Sequence, residues 1–364
     1  MTKSSLLLAS LIAMGTASPA LAQAAPTTSV GGLVYSDYRM PTPSGPQSFN
    51  VRRAFLTGRV RLDPTWSGQV TVNPYAETWA SGVTTTTGVF TTPPPGAPAT
   101  AVTSVTATTR TEPFSELLQM AFVQGDNLLY GGSMMQLGMV WMPWSETEYT
   151  YWDYRMLSTV PIEGGVANYS FGEATPAYIS IYDQGLKWKG NHGWLRYNLA
   201  FANGEGFRAT ETDGRKSLEG SVTLSPITGL DFALLGRRGN LSTMEQADRA
   251  SLIVGYTTLG FRVAVQATRM LDAPLGGTTT NGQILSAFGT LPLTFTGQPL
   301  ELVLRADSID PNVDLGGDDR VESILGLAYR PLGGNVTFVL DNQNVSHADG
   351  SNSNQLALHT RLAF

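Results

Sequence analysis

The last nine residues, Leu356-Ala357-Leu358-His359-Thr360-Arg361-Leu362-Ala363-Phe364, alternate strictly enough to decide the fold. Counting back by twos gives Phe364, Leu362, Thr360, Leu358 and Leu356; between them lie Ala363, Arg361, His359 and Ala357. Side chains of a strand alternate between its two faces, so one face is apolar and the other carries Arg and His. A soluble β-sandwich turns the apolar face inward. A membrane barrel turns it to lipid and keeps a wet interior.

The same pattern recurs upstream. Residues 54–62 set Ala54, Leu56, Val60 and Leu62 against Arg53, Thr57, Arg59 and Arg61. Residues 261–269 set Phe261, Val263, Val265 and Ala267 against Arg262, Gln266 and Thr268. Residues 300–307 set Leu300, Leu302, Leu304 and Ala306 against Glu301, Arg305 and Asp307, and 335–341 set Val336, Phe338 and Leu340 against Thr337 and Asp341. Each run is close to the 9–11 residues of a tilted membrane strand. No long amphipathic helix interrupts them.

Punctuation alternates too. Compact turns are expected at 63–65, 125–127, 190–192, 226–229, 257–260 and 331–334, with a looser one at 291–298. Longer connections are expected at 41–47, 80–112, 141–175, 203–214, 239–247, 271–282, 310–319 and 345–354. Eight long and seven short connections make about sixteen strands with both ends on the short-turn side, the pattern of a bacterial outer-membrane barrel. Aromatic residues beside the short turns (Trp66, Trp188, Trp194, Tyr256, Phe261, Tyr329) suit a girdle at the membrane interface.

Composition agrees. The 364 residues are 42% hydrophobic but only 14% charged, against about 25% in ordinary globular chains. Mean hydropathy is −0.05, so a bundle of membrane helices does not fit. A barrel spends alternate residues on lipid and water, which averages hydropathy to near zero, and its hairpins use the 39 Gly and 21 Pro. The net charge of −6 argues against a nucleic-acid partner. Cysteine is absent, which removes thiolate metal sites and cysteine nucleophiles. His192, His347 and His359 are the only histidines and fall in separate elements, and no metal-binding spacing occurs, so no enzyme, metal or cofactor is expected.

The N-terminus reads as a signal peptide. Lys3 precedes the apolar run Leu6 to Met14, which is too short to span a bilayer, and Pro19-Ala20-Leu21-Ala22 offers small residues for cleavage before Gln23. Residues 1–22 are then removed and residues 23–364 form the barrel. The expected location is the outer membrane of a Gram-negative bacterium.

A barrel of about 16–18 strands leaves an aqueous channel. Inward positions such as Gln69, Thr71, Asn73 and Asn198 are polar or small. The proposed pore wall carries Arg53, Arg59, Arg61, Arg196, Arg237, Arg262 and Arg305. Acidic wall positions are Glu219, Asp231, Glu301, Asp307, Glu322 and Asp341. Two loops stand out. The segment 80–112 holds twelve Thr with Pro93, Pro94, Pro95 and Pro98, and reads as a surface loop or protruding hairpin. The segment 141–175 holds Trp141, Trp144, Tyr149, Tyr151, Trp152, Tyr154, Tyr169 and Phe171. A loop this aromatic would be a liability in water, so it is expected to fold into the lumen. There Glu146, Glu148, Trp152, Asp153 and Arg155 would form a constriction facing the arginine wall, filtering solutes by charge.

Several stretches resemble outer-membrane porins, nearest to the phosphate-selective porin O/P family. They are Phe49-Asn50-Val51-Arg52-Arg53-Ala54, Tyr182-Asp183-Gln184-Gly185 before Trp188-Lys189-Gly190, and Ala202-Asn203-Gly204-Glu205-Gly206 with Lys216 downstream. Ser225-Pro226 with Gly229-Leu230 and the terminal Phe364 complete the set. The resemblance implies a sixteen-stranded barrel, a homotrimer and passive diffusion of small hydrophilic solutes or ions. The terminal Phe364 resembles the signal read by the barrel assembly machinery. The arginines match part of the arginine ladder of the phosphate-selective members, but their lysine cluster has no counterpart, because 239–247 contains no basic residue. With more Arg than carboxylate on the wall, the reading leans toward anions. An adhesin or structural barrel with a plugged lumen is the alternative.

Overall fold

The computed structural model describes residues 25–42, 47–73, 84–88, 102–106, 118–173, 177–207, 211, 214–241, 244–274 and 276–364. The signal peptide and most of the Thr/Pro-rich segment lie outside them. The first strands are β1 (Thr27–Thr42), β2 (Ser48–Arg61), β3 (Trp66–Val72), β4 (Thr84–Gly88), β5 (Val102–Thr106), β6 (Leu118–Asp126) and β7 (Ser133–Trp141). Two short helices follow, α1 (Pro143–Tyr151) and α2 (Gly165–Phe171), with a 3-10 turn at Pro161–Glu163 between them. The chain continues through β8 (Tyr182–His192), β9 (Leu195–Ala202), β10 (Ser217–Ile227), β11 (Leu230–Arg238), β12 (Met244–Thr258) and β13 (Phe261–Pro274). It ends with β14 (Thr280–Pro292), β15 (Leu300–Asp310), β16 (Arg320–Tyr329), β17 (Val336–His347) and β18 (Asn352–Ala363).

Sixteen of these strands close into one antiparallel barrel in which each neighbours the next, and β1 pairs with both β2 and β18. Closure satisfies every strand edge, which a sheet in hydrocarbon requires. Strands β4 and β5 form a separate two-stranded hairpin within the Thr-rich segment. Among the described residues no helix is long and apolar enough to cross a membrane.

The outward face is apolar. Leu234 (β11), Leu285 (β14), Leu325 (β16), Leu340 (β17) and Leu358 (β18) are all exposed, as the alternation demands. Trp66, Trp194, Tyr256 and Tyr329 are exposed beside the short turns. The seven short connections fall where the punctuation places them, with small shifts. The turn after β6 occupies 127–132, entered through Asn127 in the left-handed region at φ 59°, and β13 continues to Pro274 into the expected loop 271–282. β17 likewise runs to His347, and β18 resumes at Asn352.

The interior corrects one expectation. Its face is not polar throughout. Along β12 to β17 the wall presents Ile253, Ile284, Ile309, Ile324, Val339 and Val345, all buried. They pack against Trp152, Leu157, Val160, Ile162 and Val166 from the segment between β7 and β8. That segment lies inside the barrel, as its aromatic content demands. Apolar burial stabilises by about 25 cal/mol per Å², so an inserted apolar loop needs an apolar wall to receive it. The β12–β17 side of the lumen is therefore a packed core.

Candidate functional site

The in-folded segment is held by wall carboxylates at its helix starts. The first N–H groups of a helix have no partner within the helix, and here no loop side chain caps them. Glu219 of β10 accepts the Trp144 N–H at 2.7 Å, at the first turn of α1. Glu322 of β16 accepts the Val166 and Ala167 N–H groups at 2.5 and 3.3 Å, at the first turn of α2. The far end of α2 is held by arginines: Arg39 of β1 donates to the Ser170 carbonyl and Arg52 of β2 to the Tyr169 carbonyl. Carboxylate at the N-terminus and guanidinium at the C-terminus both complement the helix dipole.

Other wall acids also meet the segment. Tyr151 Oη donates to Asp231 at 3.3 Å and Tyr154 Oη to Glu301 at 2.6 Å. All six acidic wall positions face inward. Asp307 pairs with Arg305 at 2.7 Å, and Asp341 lies 3.0 Å from the buried His359.

The seven wall arginines divide into two groups. Arg53, Arg59, Arg61, Arg196 and Arg262 keep some exposure. Arg59 donates to Gln69, and Arg196 pairs with Asp231 at 2.6 Å. Arg237 and Arg305 face inward but are buried, which corrects their placement as pore-lining residues. Arg237 lies 3.7 Å from Glu219, and Arg305 donates to the Thr159 carbonyl at 2.7 Å and stacks 4.9 Å from the Trp152 ring. Alternation gives the face of a residue but not what covers it, and the in-folded segment covers these two.

The five constriction residues also part company. Glu146 reaches the wall, pairing with Lys187 and, at 2.6 Å, with Lys189 of β8. Burial opposes its ionisation, but the two ammonium groups outweigh it and bring its carboxyl down to about 2. Glu148 is fully buried beside Trp144 Nε1, 3.1 Å away, and burial pushes its carboxyl up to about 8. Glu148 therefore lines no open space as a charge filter, whereas Trp152, though almost wholly buried, contributes an edge to the lining of a cavity toward the short turns. Asp153 is half-exposed, 3.6 Å from Arg330. Arg155 is buried, 3.6 Å from Glu163 and 4.8 Å from the centre of the Tyr149 ring.

Space remains on the β1–β3 and β6–β9 side. A cavity of about 730 Å³ opens toward the long loops, lined by Arg39, Arg52, Arg53, Gln119, Glu163 and Tyr169 among others. A second, of about 360 Å³, lies toward the short turns, lined by Tyr35, Thr57, Arg59, Tyr149, Asp153 and Arg155 among others. Where the two linings approach one another, Arg53 and Glu163 belong to the first and Tyr35, Tyr149 and Arg155 to the second. Burial pushes the Glu163 carboxyl up, against the pull of Arg155 and Arg53. Two guanidinium groups, Arg53 and Arg155, thus stand beside one carboxyl, Glu163. A third cavity, of about 330 Å³, is lined by Glu146, Tyr151, Lys189, Arg196 and Asn198 among others.

Reading by alternation missed Arg39, Arg52, Lys187 and Lys189. Asp37 and Arg39 repeat the period of β1 and were available to the same reading. Arg52 was not, because a β-bulge between Tyr35 and Ser36 of the β1–β2 pairing leaves it without a partner residue.

No protein-family model matches the chain, and no curated protein matches it. Solved structures do. The anion-selective porin from Comamonas acidovorans superposes with a TM-score of 0.62 at 13% identity, over 93% of this chain and all of that one (100%). The outer-membrane expressed OmpT of Vibrio cholerae gives 0.59 at 10% identity, over 94% and 99% of the two chains. The outer membrane channel DcaP of Acinetobacter baumannii gives 0.52 at 10% identity, over 93% and 98%. At such identities the likeness is one of fold: the chain has the closed antiparallel β-barrel fold of these outer-membrane proteins.

Proposed function

We propose that the protein is an outer-membrane porin, a water-filled channel for passive diffusion of small hydrophilic solutes or ions, with a preference for anions. The observation that carries this reading is the unfilled side of the barrel. There the two cavities follow one another along β1 to β3, and the section between them presents Arg53 and Arg155 against a single carboxyl, Glu163, that burial holds toward its neutral form. The lysine-poor loop 239–247 gives no support to phosphate selectivity in particular.

The rest of the reading extends the sequence expectations. The signal peptide ends near Ala22, the outward face meets outer-membrane lipid, and Phe364 is the mark read by the assembly machinery. A homotrimer is proposed, in line with the trimer form recorded for OmpT of Vibrio cholerae. No enzymatic role is proposed. A second reading, a structural barrel with a plugged lumen, draws on the apolar core that fills the β12–β17 side.

A planar-bilayer recording of the refolded protein under a KCl gradient separates the two. Step conductance with a reversal potential of the anionic sign is the expected result. A silent bilayer would overturn the channel in favour of the plugged barrel, and a cationic sign would overturn the anion preference.

A further inference from the structure

We infer that the cavity on the long-loop side is a binding site for organic carboxylates with a flat apolar body. This rests on the channel reading and names its substrate class.

Three guanidinium groups converge there from adjacent strands. Arg39 and Arg52 share one carboxylate, Asp37, at 2.8 and 3.4 Å, while Arg53 has no ion-pair partner among the described residues. Glu163 and Glu205 also line the cavity, and Glu163 is paired with Arg155, so Arg53 is the guanidinium left for an entering anion. Tyr169 lies between Arg52 and Arg53, its ring centre 4.7 Å from the Arg52 guanidinium and 5.6 Å from that of Arg53. Stacking on one ring holds both forks in place, and a planar fork matches a planar carboxylate.

The site also holds polar atoms with nothing to bond. Arg39 Nη2, Arg53 Nε and Tyr169 Oη are buried without a hydrogen-bond partner. Arg39 and Tyr169 are only 7% and 4% exposed, and both line the cavity. Buried donors left unpaired are costly, and an entering carboxylate supplies acceptors to the arginines and the tyrosine. The rest of the lining is mixed: Phe171, Ile179, Ile181 and Phe207 offer an apolar stretch beside polar Asn50, Thr159, Asn168 and Ser180. Inorganic phosphate wants polar groups around all its oxygens and would leave that apolar stretch unused. A carboxylate carrying an apolar ring uses both halves, and about 730 Å³ lies in the range of small-molecule pockets.

The test is titration calorimetry of the full barrel in detergent with phenylacetate, its neutral amide and inorganic phosphate. Saturable phenylacetate binding is expected, with the amide and phosphate at least about tenfold weaker. Arg53→Gln should weaken phenylacetate about tenfold with the barrel still folded, because Arg53, unlike Arg39 and Arg52, pairs with no loop carbonyl. If that variant does not fold, Arg53→Lys keeps the charge, loses the fork, and should still weaken phenylacetate about threefold or more. Equal binding of amide or phosphate, or an Arg53 variant that binds as the parent does, would overturn the inference. Calorimetry reads binding without current. A barrel that binds phenylacetate yet gives no conductance overturns the channel alone, and one that conducts without binding phenylacetate overturns this site alone.

Discussion

Glu322 on the barrel wall accepts the Val166 N–H at 2.5 Å, 156 residues away in sequence, so the start of an inserted helix is capped by a strand. Glu219 does the same for Trp144. The two carboxylates anchor both helices of the segment to separate stretches of wall, on β10 and β16.

Removing these anchors should free the segment before it harms the barrel. A lost cap or dipole partner costs about 1 kcal/mol, up to about 2 in buried geometry. Glu219→Gln with Glu322→Gln should therefore leave a folded barrel whose single-channel current is larger and noisier than the parent's. Limited proteolysis should cut between 143 and 171. A current trace and digest identical to the parent's would show that the apolar contacts hold the segment by themselves.

Gly165 tests the same joint by sterics. Its φ is +64°, in the left-handed region, and a Cβ there would sit 2.2 Å from Glu322 Oε2. Gly165→Ala should lower the temperature of heat-modifiability by several degrees, from about 1 kcal/mol of backbone strain plus the displaced cap. Gly172 at the other end of α2 has a similar φ of +68° with nothing within 4 Å. Gly172→Ala should carry the backbone cost alone and fall between Gly165→Ala and the parent.

Glu148 gives the segment a pH dependence. Its carboxyl is raised by burial from 4.5 to about 8, so the folded state binds a proton that the unfolded state releases above 4.5. Stability then falls as pH rises from about 4.5 to 8, and the loss is complete above that window. Glu148→Gln removes the titration. Its melting temperature should exceed the parent's at pH 9 and converge with it near pH 4. Glu146 runs the opposite way. Its carboxyl sits near 2, so its contribution is present above 4.5 and fades as pH falls toward 2. Glu146→Gln should therefore be the less stable protein at pH 7.

The barrel was readable because one period governs every strand and one rhythm governs every connection. Leu358 out and His359 in needs only the pleat. The aromatic load of 141–175 likewise told where that segment goes, since Trp144 and Trp152 could not remain in water. What alternation could not see is a break in itself. At the bulge opposite Tyr35 and Ser36, consecutive Arg52 and Arg53 both turn to the Tyr169 ring, whereas strict period two would send Arg52 to lipid. Nor could it tell a wet inward arginine from a covered one. Arg59 and Arg305 read alike in sequence. Only the docked segment, laid on β15 through the Thr159 carbonyl, makes one a lining residue and the other a tether.

The closing seam makes the last prediction. Gly32 of β1 donates to the Phe364 carbonyl at 2.8 Å and accepts the Phe364 N–H at 3.0 Å, which extends the β1–β18 ladder to the final residue. The terminal ring lies over Gly32 so closely that a Cβ there would come within 2.3 Å of it. Glycine is thus required on the first strand for the last side chain to lie flat. Gly32→Val should force the ring away and weaken the final rung, while leaving the other paired residues of β1 in register. Refolding into detergent should then give a smaller heat-modifiable fraction and slower closure than the parent. Phe364→Ala in the Gly32→Val background should recover part of both, because the clash disappears with the ring. If the double variant folds no better than Gly32→Val alone, the valine acts on β1 itself and not through contact with Phe364.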